Sequence, residues 1–143
     1  MAPDALLPYA QRYAQFPQNE NARSNFVLRI RLSTDVEALR AVAANFTLEP
    51  HVVQPIWVRI AELAGDDPDL LMQAAYVFYS MGDDAGARQT IERVLSISES
   101  HVPALELTAM MTADVNERKA LFQKILDIDP TNRQVFNQLL MLR

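Results

Sequence analysis

The sequence predicts an all-α chain of about eight or nine helices packed as antiparallel pairs, and three observations carry that reading. Apolar residues recur at helical spacing along almost the whole chain. Glycine is scarce, with 3 in 143 residues, so a β-rich fold would lack turn residues. Helix start and stop signals fall between the apolar stripes, leaving connections too short for anything but antiparallel neighbours.

The stripes follow in order. Leu39, Val42, Ala43 and Phe46 share one face, then Val53, Ile56, Trp57, Ile60 and Ala64. Leu71, Ala74, Ala75 and Phe78 repeat the spacing, as do Ala87, Ile91, Val94 and Leu95. Leu121, Phe122, Ile125 and Leu126 come next, and Val135, Phe136, Leu139 and Leu140 close the chain. Thr34–Glu37 and Asp114–Glu117 have the spacing of a capping box. Asp66, Asp67 and Pro68 suit a helix start, while Gly82 and Pro130 suit helix stops. Helices are expected near 4–15, 20–32, 35–47, 51–64, 68–81, 84–97, 102–112, 115–128 and 132–142. Leu28 to Leu32 alternates apolar and charged like a strand, but no second segment offers it a partner, so helix is expected there too.

Length and composition bound the function. The chain is sized for one domain, 1–143. Its hydrophobic (50%) and charged (22%) shares are those of an ordinary globular protein. It has no cysteine, which removes disulfides, thiolate metal sites and cysteine nucleophiles. The start, MAPDALLPYAQRYAQF, lacks the basic-then-apolar order of a secretory signal, and no apolar run has the length of a membrane span. The expectation is a soluble cytoplasmic protein without membrane insertion. Net charge is −5, divided as +1 over residues 1–60 and −6 over 61–143. An acidic C-terminal half argues against nucleic acid as the ligand. Arg12, Arg23, Arg29 and Arg31 suggest a basic patch on the first helices, suited to an acidic partner or to the acidic half of a second copy.

Catalytic and metal chemistry find no constellation. His51 and His101 stand alone at helix starts, outside any H-x-x-x-H or H-E-x-x-H spacing. Gly65-Asp66-Asp67-Pro68-Asp69 lacks the alternating ligands of a calcium loop and reads better as a capped helix start. Gly65, Gly82 and Gly86 do not form a phosphate loop, and no serine sits in a nucleophile elbow. The expectation is no enzyme, no cofactor and no metal.

Self-similarity is more informative. The shape of Asp83 to Ile97 recurs in Asp114 to Pro130, with Ile91, Val94, Leu95 and Ile97 becoming Phe122, Ile125, Leu126 and Ile128. Thr34 to Pro50 offers a third copy of the same second helix, which makes the helix near 51–64 an apparent insertion. The segment from Pro68 carries Leu71, Ala74-Ala75, Phe78, Gly82-Asp83, Ala87, Ile91, Val94 and Leu95, and Leu126 to Asn132 reads as a unit boundary. In this pattern the chain resembles the tetratricopeptide-repeat family. The match is good over 68–132, with Glu99 in place of the boundary proline and Arg118 in place of the small residue matching Ala87. It divides the chain into a degenerate helical part, 1–66, and a repeat-like part with a terminal helix, 67–143.

The resemblance implies a right-handed α-α superhelix whose first helices line a concave groove for a protein or peptide. Carried over, the groove-facing residues are Asp69, Met72, Tyr76 and Tyr79, then Glu106 and Met110, then Asn137 and Met141. The function implied is a non-enzymatic adaptor or chaperone-like module. The alternative is a self-associating structural or regulatory subunit, a homodimer through the apolar helix Val135 to Leu142.

Overall fold

A computed structural model describes residues 3–142; Met1, Ala2 and Arg143 of the expected single domain lie outside them. The described residues form nine helices and no strand: α1 (Pro3–Gln15), α2 (Glu20–Leu32), α3 (Val36–Ala43), α4 (Pro50–Leu63), α5 (Pro68–Ser80), α6 (Asp84–Ile97), α7 (Val102–Met110), α8 (Val115–Ile128) and α9 (Arg133–Met141). The strand-like alternation at Leu28 to Leu32 lies inside α2. There Ile30 is buried while Leu28 and Leu32, one turn apart, share the exposed side.

Side-chain caps set the boundaries. Asn19, Asp35, Asp67, Asp83, Asp114 and Asn132 each accept a backbone N–H from the first turn of the following helix. The α3 cap is therefore Asp35, not the expected Thr34. Helix α3 is also shorter than its apolar stripe. After Ala43 the backbone tightens into i−3 bonds (Asn45 to Val42, Phe46 to Ala43), and the Asn45 amide donates to the Ala41 carbonyl. Phe46 thus stays buried from a turn. Gly82, at φ +79°, closes α5: its N–H reaches Tyr79 O and the Asp83 N–H reaches Phe78 O, the Schellman pairing that a left-handed residue permits. Asp83 then starts α6 at once, and α5 and α6 make the most extensive helix contact in the protein.

The other close pairs are α1 with α2, α3 with α4, and α7 with α8. This corrects the expected insertion near Trp57, because α4 is the second member of the α3–α4 pair. Burial gives the physical reason. Leu39, Val42, Ala43 and Phe46 of the α3 segment recur, with the same internal spacing, as Leu71, Ala74, Ala75 and Phe78, and all of them are buried. Leu6, Ala10 and Tyr13 hold three of the same places in α1. Helix α3 therefore packs as a first helix, and α4 repeats the buried positions of α6: Val53 over Ala87, Trp57 over Ile91, Ile60 over Val94. Beyond the pairs, α1 packs on α3 and α2 on α4.

The larger buried cluster runs without a break from Leu6 to Leu107 and so crosses residue 66. A smaller one holds Leu105, Ala109, Phe122, Ile125 and Val135, with Leu95 packed against both. Two arginines fasten second helices end to side. Arg59 of α4 donates to the Ser33 carbonyl at the end of α2 (3.1 Å), and Arg93 of α6 donates to Ala61 O and Gly65 O at the end of α4 (2.9 and 3.2 Å). Each satisfies carbonyls that a helix C-terminus leaves without intrahelical donors. No described helix is long and apolar enough to cross a membrane.

Candidate partner-binding face

Two polar contacts tie α5 to α7 and α7 to α9, and one charge acts across from α7 to α5. Asp69, in the first turn of α5, holds a carboxylate oxygen 3.8 Å from Nε2 of His101. His101 is the N-cap of α7, its Nδ1 accepting the Ala104 N–H at 3.4 Å, which directs the Nε2 proton toward Asp69. Farther along, the Glu106 carboxylate stands close enough to Tyr76 of α5 to act on its ionisation. Glu106 also accepts from Nδ2 of Asn132, the N-cap of α9, at 3.2 Å. The start of α5 thus lies by the start of α7, and Tyr76, farther along α5, lies within electrostatic reach of Glu106, farther along α7.

Seven of the eight expected site residues are exposed or half-buried. Asp69 and Tyr76 are exposed, and Glu106 is half-buried beside Tyr76. Met110 (62% exposed) and Met141 (85%) line one cavity of about 280 Å³ with Arg118, Phe122, Gln138 and Leu142. Tyr79 is half-buried and packs against the main core. Asn137 is exposed on α9. Met72 is the exception: it is only 4% exposed and belongs to the core. Helix α5 lies between α4 and α6 and packs on both, so its buried arc is wider than one stripe and takes in Met72 beside Leu71.

Burial raises the pKa of Tyr76 above the ordinary tyrosine value, and the Glu106 charge raises it further, because both disfavour the phenolate. A proton held more tightly in the folded state leaves stability intact below the ordinary tyrosine pKa. That stability is lost as pH rises through the raised folded value. The expected result is a late-titrating tyrosine, present in the wild type and missing in Tyr76→Phe, whose midpoint falls in Glu106→Gln. Alkaline difference absorbance of the tyrosinate band reads it, and an unchanged midpoint in Glu106→Gln would refute the assignment to this pair.

The expected basic patch divides in two. Arg12 lies over the Phe16 ring (5.9 Å), and Arg29 lies over Tyr9 (4.6 Å) while donating to its hydroxyl (2.9 Å). Both are therefore engaged with aromatics, of α1 (Tyr9) or of the turn that follows it (Phe16). Arg23 and Arg31 instead line a furrow that sequence reasoning did not find. It passes from α2 across α4 to α6 as three adjoining hollows of about 290, 360 and 380 Å³. Val27 and Arg31 are common to the first two hollows, and Gln54, Val58 and Glu62 to the second two. One signal was available in the sequence: Val58, Leu28 and Leu32 are large apolar residues off the buried stripes, and all three are exposed. Elsewhere, His51 lies in the first turn of α4, its ring edge-on to Tyr13 at 5.0 Å. Among the described residues no three His, Asp or Glu side chains gather as metal ligands would.

A scan against protein-family models and a search of curated proteins both found no match to this chain.

Proposed function

We propose that this protein is a non-enzymatic, cytoplasmic interaction module of the tetratricopeptide-repeat kind, holding a peptide or partner helix against the face of α5, α7 and α9. In this reading the helix pairs stack as a right-handed superhelix. The recurrence of buried positions from Leu39–Phe46 to Leu71–Phe78 supports it, since stacked units must bury equivalent residues. The observation that carries the functional reading is the Asp69–His101, Tyr76–Glu106, Glu106–Asn132 series. It ties α5 to α7 and α7 to α9 through side chains, and Tyr76, Met110 and Met141 are exposed on those helices. Tyrosine offers a large contact area with a polar tip, methionine repacks around different partners, and Asp69 and Glu106 favour a partner with basic residues. Met72, being buried, has no part in it.

A photo-crosslinking amino acid placed at 76, 110 or 141 tests this. One partner captured from all three positions, and not from position 48 in the exposed α3–α4 turn, is the expected result. Equal capture from position 48 would sink the assignment. The second reading, self-association through α9, is favoured by Phe136 (48% exposed), Leu140 (40%) and Met141, which the fold leaves uncovered on the last helix. Crosslinking of 141 to a second copy of the chain would select it.

A further inference from the structure

The furrow across α2, α4 and α6 carries more positive than negative charge. Its walls carry Arg23, Arg31, Arg59 and Arg93 against two carboxylates, Glu62 and Asp83. Both carboxylates are already engaged. Glu62 pairs with Arg59 at 2.9 Å, and Asp83 accepts the Gly86 N–H as the cap of α6. Arg59 and Arg93 are committed to helix-end carbonyls. Arg23 and Arg31 are exposed, and among the described residues neither side chain takes part in a hydrogen bond or ion pair. The same hollows are lined by exposed Leu28 (52%) and Val58 (38%).

We infer that this furrow binds an acidic, amphipathic protein segment, apolar residues seated on Val27, Leu28 and Val58 and carboxylates paired with Arg23 and Arg31. Two cations with no partner among the described residues gain more from carboxylates than from any neutral occupant. The aliphatic floor and its recess between helices suit side chains of a peptide. Nucleic acid is a poorer fit. The aromatic ring that borders the furrow, Phe78, is buried and offers no face for stacking, and the protein as a whole is at −5. The inference uses none of the residues assigned to the α5–α7–α9 face, so the two surfaces fail or stand separately.

The probe is a short fluorescein-labelled helical peptide, leucine along one face and glutamate elsewhere, with a lysine-for-glutamate version as its control. Fluorescence anisotropy with the full chain is expected to show binding of the glutamate peptide alone, weakening as salt is raised. Arg23→Glu with Arg31→Glu should weaken it about tenfold or more, since each reversal turns an attraction into a repulsion. Both sites are exposed, so far-UV circular dichroism should match the wild type, and Tyr76→Ala should bind the peptide as the wild type does. No binding of the glutamate peptide, equal binding of the lysine peptide, or indifference to the double reversal would each overturn the proposal. So would reversal-sensitive binding to phosphatidylserine vesicles or poly-U RNA in place of the peptide. Sedimentation showing self-association that the reversal abolishes would overturn it too, assigning the furrow to a second copy.

Discussion

Leu71→Ala is expected to lower stability by about 3 kcal/mol and the melting temperature by roughly 10 °C. Leu71 has no exposed surface and sits in the middle of the larger cluster, on the helix that packs against both α4 and α6. Truncation there removes buried methyl groups and leaves a cavity that two neighbouring helices must close on at once. Trp57, the single tryptophan, is buried in the same cluster and reports its opening. Emission and far-UV circular dichroism should therefore shift together on heating. A variant that melts alongside the wild type would mean that α5 is not the centre of the core.

Phe122→Ala should cost as much, about 3–5 kcal/mol, but in a different place. Its ring is 4% exposed, fills the small cluster with Leu105, Ala109, Ile125 and Val135, and lies 5.9 Å from the guanidinium of Arg118. Few buried side chains hold α8 and α9, so losing the largest of them should release those helices before the rest unfolds. Hydrogen exchange should become fast through α8 and α9 while α3 to α6 stay protected. Trp57 emission should keep a midpoint close to that of the wild type. A single transition in which helicity and Trp57 emission move equally would show instead that Leu95, which touches both clusters, couples them into one unit.

Helix positions were legible where a helix carries its own stripe and its own capping side chain, as α3, α5, α6, α8 and α9 do. Phe26, Ile60 or Val94 at the wrong phase would have been visible in the sequence as polar residues on a buried face. Pairing was not legible in the same way. Matching Thr34 to Pro50 on Asp83 to Ile97 followed an N-cap oxygen and an alanine, which first and second helices share. The buried Leu39, Val42, Ala43 and Phe46 are what identify α3 as a first helix. Met72 was misplaced because a helical wheel assumes one buried stripe, whereas α5 is covered from two sides. The furrow depended on contacts between distant residues, such as Arg93 with the Gly65 carbonyl and Arg29 with Tyr9. No local pattern records which arginines of α2 are spent on α1 and which are left to face solvent.

The equivalence of Leu39–Phe46 with Leu71–Phe78 also says how this chain can change its length. Removing or adding a single helix would put a first helix where a second belongs and reverse the direction of everything after it. Removing or adding one whole helix pair, the distance from Leu39 to Leu71, would return each remaining side chain to a neighbour of the kind it already has. The helix pair is thus the quantum of insertion and deletion in this protein, and the two arginine clasps, Arg59 to Ser33 and Arg93 to Gly65, mark where one quantum is joined to the next.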